Sequence, residues 1–337
     1  MTLVLGIEST AHTFGVGIAS EDGVLININD TYTPPQGVGI HPRVAADHHV
    51  AVGPKLLSEA LRRLGIGIRD VDAVAFSMGP GLGPALGRCY PARAIAIKFA
   101  KPLVPVHHGV AHVEVARWSV RFRDPLVLLV SGGHTMVIAH SGRTYGGVFG
   151  ETIDMAVGNA LDYFARSVGL PNPGVPHLEE CAERGSKYIP LPYTVKGQDV
   201  SFSGLVEETL RLVKKGVALP DVCLSLVETA YSMLGEVVER GLALTGKKEL
   251  LLAGGVARSK RLRSIMEWIA NEFNAKLGIV PPEYAGGDNG GMIALTGGLL
   301  AYKSGITIDP TEAVTKQRWR LDEVETPWFG NEPWFNK

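Results

Sequence analysis

The sequence predicts an α/β protein made of two domains that each begin with a β-hairpin, and three observations carry that prediction. Strand-like and helix-like stretches alternate along the chain. LVLGIESTAHTFGVGIAS (3–20) and LVLLVSGGHTMVIAHSG (126–142) share one pattern: an apolar strand, a turn of small polar residues, then a second strand rich in Val, Ile and Ala. The chain has 337 residues, more than the roughly 250–300 at which a single core stops growing. The repeat puts the seam between the copies near Asp124–Pro125.

Composition narrows the function classes. Lys plus Arg number 33 and Asp plus Glu 34, a net charge of −1, so any contact with RNA must come from a local patch or from partners. The three cysteines, Cys89, Cys181 and Cys223, are scattered and odd in number, which predicts neither a disulfide framework nor a thiolate metal site, and points to the cytosol. MTLVLGIEST lacks a basic leader region, and no apolar run approaches the roughly 18 residues of a membrane span. The 41 glycines, many paired beside apolar runs, allow backbone to approach a ligand closely.

In chain order, the turns ESTAHT and SGGHT are either ordinary hairpin turns or anion-binding nests of exposed N–H groups, and their recurrence favours function. VDAVAFSMG (71–79) reads as a strand, YPARAIAIKFA as a helix, and PLVPVHH as a short buried strand. That strand feeds VHHGVAHVEVAR (106–117), a helix with His108 and His112 on one face, close enough to share an ion or to serve as structural histidines. A zinc peptidase would need Glu directly after the first His, where Gly109 stands.

MAVGNALDYFARSVGL (155–170) is an amphipathic helix bearing Asp162, and PNPGVPHLEECAERG (171–185) is a turn entering another. DVCLSLVETAYSMLGEVVERGLAL (221–244) is a long helix. KELLLAGGVARSKRLRSIMEWIA (248–270) runs strand, glycine turn, basic helix, a nucleotide-cradling layout without the full Rossmann or P-loop pattern. PPEYAGGDNGGMIALTGGLLAYKSG (281–305) sets Asp288 in a glycine loop before an apolar helix, where alone it reads as an N-cap.

Ten motifs in one order resemble the tRNA N6-adenosine threonylcarbamoyltransferases, a branch of the actin, sugar-kinase and Hsp70-like ATPase superfamily. They are GIESTAHT (6–13), GIHPRVAADHH (39–49), GPGLGPALG (79–87), VHHGVAHVE (106–114), VSGGHT (130–135), GNALDYFAR (158–166), SFSGL (201–205), GGVA (254–257), GGDNGGMIA (286–294) and QRWRLDEVE (317–325). TAHT, IHPR with ADHH, and QRWRLDEVE resemble the archaeal and eukaryotic type, the catalytic subunit of the KEOPS complex. The resemblance implies two actin-like (ribonuclease H-like) domains with a nucleotide and metal site in the cleft between them. Residues 1–124 with roughly 295–337 would form one domain and 125–294 the other.

The same resemblance implies a metal held by His108, His112 and Asp288. Two imidazoles and one carboxylate with open positions suit Fe(II) or Zn(II), with Fe(II) favoured. Leu129 stands where archaeal members often carry tyrosine, so no fourth protein ligand is expected. ATP or threonylcarbamoyl-AMP would lie against Ser131, Gly132, Gly133 and His134 at its phosphates, Asp162 and Glu179 at its ribose, and Gly254 and Gly255 at its base. Two departures from the family pattern touch that site: Val175 in PGVP, and Ser259 with Lys260 in place of asparagine after GGVA. Glu8, His12, Asp47 and His48 would lie near the acyl donor as catalytic candidates or as structural residues.

The activity implied is transfer of threonylcarbamoyl to N6 of a tRNA adenosine beside the anticodon, with AMP leaving. The partners implied are tRNA and three KEOPS subunits: a small kinase-like ATPase, a dimerising subunit and a regulatory subunit. Arg258, Lys260, Arg261 and Arg263 on one helix, and Arg318 and Arg320 near the end, could meet tRNA phosphates or form solvated faces. Three other readings compete: a metalloendopeptidase, a sugar or acid kinase, and a non-catalytic ATP-dependent scaffold.

Overall fold

The computed structural model describes residues 1–35, 38–87, 90–285 and 287–335. Its first half runs β1 (Val4–Glu8), β2 (Thr13–Ser20), β3 (Gly23–Thr31), α1 (Pro42–Leu64), β4 (Ala73–Gly79), α2 (Gly83–Leu86), α3 (Tyr90–Phe99), β5 (Leu103–His107) and α4 (His108–Val120). The strands form one sheet in the order β3-β2-β1-β4-β5, antiparallel through the hairpins and parallel from β1 to β5. β1, β2 and β4 are buried along their whole length, as strands covered on both faces must be, which explains their near-continuous apolar runs.

The second half repeats this plan. It runs β6 (Leu126–Val130), β7 (Thr135–Ser141), β8 (Thr144–Glu151), α5 (Val157–Ser167), α6 (Gly174–Ala182), the short strands β9 (Val195–Lys196) and β10 (Asp199–Val200), α7 (Ser203–Lys214), α8 (Leu219–Thr245), β11 (Glu249–Ala253), α9 (Lys260–Glu272) and β12 (Lys276–Ile279). The order β8-β7-β6-β11-β12 matches the first sheet strand for strand. The duplication read from two hairpins is therefore a duplication of whole sheets.

α4 joins the two halves. Every residue from His108 to Arg117 is buried, and the helix touches β5 on one side and β6, β11 and β12 on the other. Burying Arg117 requires charge partners. Its guanidinium reaches Glu114 at 2.9 Å and Glu332 at 2.7 Å, donates to the Arg123 carbonyl at 2.7 Å, and lies over the Phe329 ring at 4.1 Å.

The chain then returns to the first sheet through α10 (Pro282–Ala285) and α11 (Gly290–Ile293), which continues as a π-helical stretch over Ala294–Tyr302. This last helix packs on β1, β2 and β4 at a distance that only glycine permits. A Cβ on Gly6 would fall 2.2 Å from Ala294 N, and one on Gly290 would fall 2.2 Å from Val16 C. Residues beyond it follow the first sheet, with Ile308 N–H donating to Leu103 O and Lys316 N–H to Met78 O. From Leu321 onward the chain lies against the second sheet: Glu325 bridges Thr144, and Phe329 stacks flat on His140 at 3.5 Å.

One expectation is corrected. Cys181 on α6 and Cys223 on α8 form a disulfide, with Cα atoms 5.9 Å apart, because the two helices pack side by side. Their separation of 42 residues hides that pairing in the sequence. Cys89 lies outside the described residues. Among the described residues, no helix is long and apolar enough to cross a membrane.

Candidate functional site

In each sheet the parallel strands end on the same edge, and functional side chains gather beyond those carboxyl ends. Glu8 closes β1, His107 closes β5, and the Ser131–His134 and Gly254–Gly255 turns follow β6 and β11. His107 caps α4 by accepting the Val110 N–H at 3.2 Å and donates Nε2–H to the Trp319 carbonyl at 3.1 Å. It is thus a structural histidine, and the adjacent His108 is the one turned inward.

His108 and His112 stand one turn apart on α4, with Nε2 atoms 3.1 Å from each other. Asp288 Oδ1 lies 3.3 Å from His108 Nε2 and 3.4 Å from His112 Nε2. Donors bound about 2.1 Å from one ion are separated by about 3.0 Å in octahedral and about 3.4 Å in tetrahedral geometry. The observed triangle fits that range. Among the described residues this trio is the one cluster of His, Cys, Asp and Glu able to hold a metal.

Asp288 is free for this role because Asn289 takes the N-cap position, its Oδ1 accepting the Met292 N–H at 2.9 Å. The N-cap reading of Asp288 therefore misses by one residue. Leu129 lies wholly buried in the core.

The electrostatics follow from burial and proximity. Burial opposes protonation of His108, but the Glu8 and Asp288 carboxylates outweigh it and push the imidazole up to about 10. Burial also opposes ionisation of Asp288, yet the two histidines hold its carboxyl well below the usual range. Burial, with His108 beside it, lowers His112. His134, its ring stacked 6.2 Å from that of His108, is pushed down to about 3 by burial and the neighbouring histidines and stays neutral.

Among the catalytic candidates, Glu8 is fully buried against His108, its Oε2 3.2 Å from Nδ1. His12 is half-buried, with a shielded Nδ1 that has no hydrogen-bond partner among the described residues. Asp47 is exposed on α1, and His48 pairs with Asp30 at 2.8 Å. The buried histidine of that motif is His49, which donates to the Ala11 carbonyl at 3.1 Å and is pushed down to about 4 by burial. His49 thereby braces the turn that carries His12.

The nucleotide candidates divide into engaged and open groups. Ser131 Oγ accepts the N–H groups of Gly133 and His134, so those two donors close the turn on itself and are not free for phosphate. Gly133 and Gly255 have open space where a Cβ would stand, whereas Gly254, at φ +88°, packs against the Val130 carbonyl. Gly132 packs loosely against Asn159, where a Cβ would fall 3.5 Å from Oδ1. Asp162 accepts from Gly174 N–H at 3.0 Å and pairs with Arg166 at 3.0 Å. Glu179 accepts from the buried Tyr231 hydroxyl at 2.6 Å.

Ser259 is the α9 N-cap and accepts from Leu262 N–H at 3.1 Å. Val175 packs half-buried on the core, and Lys260 is exposed. In the basic clusters Arg261 is paired with Glu228, Arg263 donates to the Ala257 carbonyl, and Arg320 is paired with Asp322. Arg258 and Arg318 remain exposed.

Sequence reasoning missed three contributors: Thr10 beside Glu8, Asn289 as the cap, and Tyr231 behind Glu179. Only Asn289 had a local signal, since asparagine before an apolar helix is a strong capping residue.

Comparison with known proteins agrees with this architecture. Residues 23–295 match the family TsaD, tRNA N6-adenosine threonylcarbamoyltransferase. A protein of that name from Caldivirga maquilingensis is 64% identical over 328 residues, 97% of this chain and 98% of the relative. Another from Pyrobaculum islandicum is 58% identical over the same shares of each chain. Among solved structures, HypF from T. kodakarensis aligns with a TM-score of 0.61 at 15% identity, covering 90% of this chain and 48% of HypF. Component A of (R)-2-hydroxyglutaryl-CoA dehydratase from Acidaminococcus fermentans aligns with a TM-score of 0.54 at 15% identity, covering 90% and 99%. These two likenesses speak to the fold, which is the predicted pair of actin-like domains. On the family match and the relatives together, the chain belongs to the tRNA N6-adenosine threonylcarbamoyltransferase family.

Proposed function

We propose that this chain transfers the threonylcarbamoyl group of threonylcarbamoyl-AMP to N6 of the adenosine 3′-adjacent to the anticodon in ANN-decoding tRNAs, releasing AMP. The observation that carries the reading is the triangle of His108 Nε2, His112 Nε2 and Asp288 Oδ1 beyond the strand ends, in a chain of this family. In the reaction the adenosine N6 forms a bond to the carbamoyl carbon, the bond from that carbon to the adenylate oxygen breaks, and the N6 proton is lost. The amine is a weak nucleophile, so orientation and charge stabilisation supply most of the acceleration.

His108, His112 and Asp288 would hold one divalent ion, Fe(II) in preference to Zn(II), since two imidazoles and a carboxylate with open positions suit non-haem Fe(II). Bound there, such an ion would supply Lewis-acid positive charge to the site. Gly133 and Gly255 leave room for ATP or threonylcarbamoyl-AMP to approach backbone, and Asp162 and Glu179, already oriented by Arg166 and Tyr231, accept from ribose hydroxyls. Neutral His134 stacks over His108 and fills the side of the site next to the turn.

tRNA is the partner that this chemistry requires, and a cytoplasmic location follows from it. With a net charge of −1 and few unpaired cations on α9, much of the RNA grip falls to other subunits. We assign that role to a KEOPS-type assembly of a small kinase-like ATPase, a dimerising subunit and a regulatory subunit. The domain division we propose is residues 1–124 with roughly 295–337 as one unit and 125–294 as the other, a reading supported by the packing of the last helix on β1, β2 and β4. The peptidase reading is not favoured, because Gly109 occupies the position of its general base.

The test is nucleoside mass spectrometry of unmodified tRNA incubated with threonylcarbamoyl-AMP, partner subunits and the chain. Threonylcarbamoyladenosine should appear only when all are present. Its absence with a folded chain in an intact assembly contradicts the reading.

A further inference from the structure

We infer that Glu8, with Thr10, is the positioning residue of the metal centre: the pair keeps the His108 proton on Nδ1 and so presents Nε2 as the ligand atom. This rests on reading His108, His112 and Asp288 as the metal-holding set.

Glu8 is fully buried, and both its oxygens are taken. Oε1 accepts the Thr10 N–H at 2.6 Å and the Thr10 hydroxyl at 2.5 Å, while Oε2 lies 3.2 Å from His108 Nδ1. Thr10 Oγ1 also lies 3.1 Å from the same nitrogen. A hydroxyl has one proton, and Thr10 gives its proton to Glu8, so towards His108 this oxygen can only accept. A carboxylate accepts as well. Nδ1 therefore faces two acceptors and must be the nitrogen that carries hydrogen. The lone pair of the neutral ring then falls on Nε2, which points at His112 and Asp288.

A carboxylate behind a ligating imidazole is the usual means of fixing both tautomer and ring orientation. The pair is itself held in place, because Leu82 N–H donates to the Thr10 carbonyl at 2.7 Å and Ser9 N–H to Ser77 Oγ at 3.1 Å. Glu8 thus acts through His108 and does not touch the reacting atoms.

The test compares Zn(II) affinity, by competition with a chromogenic chelator, in wild type, Glu8→Ala, Glu8→Gln, Thr10→Val and Asp288→Ala, with Co(II) absorption spectra of each and circular dichroism to confirm folding. Glu8→Ala should weaken binding by about 10–100-fold and alter the Co(II) spectrum. Glu8→Gln, whose amide oxygen still accepts from Nδ1–H, should recover part of that loss. A folded Glu8→Ala that binds within twofold of wild type, while Asp288→Ala does not bind, overturns the inference alone. Wild type binding no tighter than Asp288→Ala overturns the metal reading and this inference with it. If Glu8→Ala does not fold, wild-type affinity in both Glu8→Gln and Thr10→Val overturns it.

Discussion

Asn289 caps the last helix through Met292 N–H, and this leaves the preceding residue, Asp288, with its carboxylate turned to the two imidazoles of α4. Removing the cap should act on both the helix and the site. Asn289→Ala is expected to cost about 1 kcal/mol of stability and to weaken Zn(II) binding, while Asn289→Asp, which can still cap, should keep most of both. Denaturant titration and chelator competition on the three proteins check this.

The glycine contact between the last helix and β2 makes a sharper prediction. A Cβ on Gly290 meets the backbone of Val16 and Gly17, so Gly290→Ala must push the helix off the sheet and carry Asp288 with it. A loss of about 1–3 kcal/mol together with reduced metal affinity is expected. Gly204, near the start of α7, has open space around it, and Gly204→Ala should instead gain about 0.5 kcal/mol with metal affinity unchanged. Thermal unfolding with and without Zn(II) separates the two outcomes.

The Cys181–Cys223 link closes a loop of 42 residues and should stabilise the second domain by up to about 4 kcal/mol through the unfolded chain. Thiol titration of the denatured protein should count only Cys89 before reduction and all three cysteines after it. The double variant Cys181→Ser, Cys223→Ser should unfold at lower temperature, and its unfolding should not respond to reductant.

The raised His108 gives a pH dependence with a definite sign. A histidine whose folded value is raised from 6.5 to about 10 contributes stability that is complete below 6.5 and is lost as pH climbs through 10. The metal-free protein should therefore lose stability between pH 7 and pH 10 more steeply than His108→Asn. Equal slopes in denaturant titrations across that range would show that the carboxylates around His108 do not hold its proton.

How far the sequence could be read follows the range of the interactions. The two hairpins were legible because alternation and turn chemistry are local, and the repeat of β1–β2 in β6–β7 exposed the duplication. His108 and His112 were legible as neighbours on one helix face, but joining them to Asp288 needed the family motif, since no local rule brings residue 288 to residue 108. The disulfide was misread because scattered cysteines carry no pairing signal until α6 and α8 are seen side by side. The phosphate-turn reading of Ser131 overlooked that its hydroxyl satisfies the turn's own N–H groups. Ser259 likewise spends its hydroxyl on a helix cap. Burial of Arg117 between Glu114 and Glu332 could not be inferred either, because Glu114 and Arg117 three apart on a helix look like an ordinary surface pair.

The most direct measurement is single-turnover formation of threonylcarbamoyladenosine on tRNA by wild type and Asp288→Ala, each in the complete assembly and with its metal content determined in the same samples. The account predicts product from the metal-loaded wild type, and a yield at least about 100-fold lower from a folded Asp288→Ala that retains little metal. Equal yields from the two proteins would contradict it.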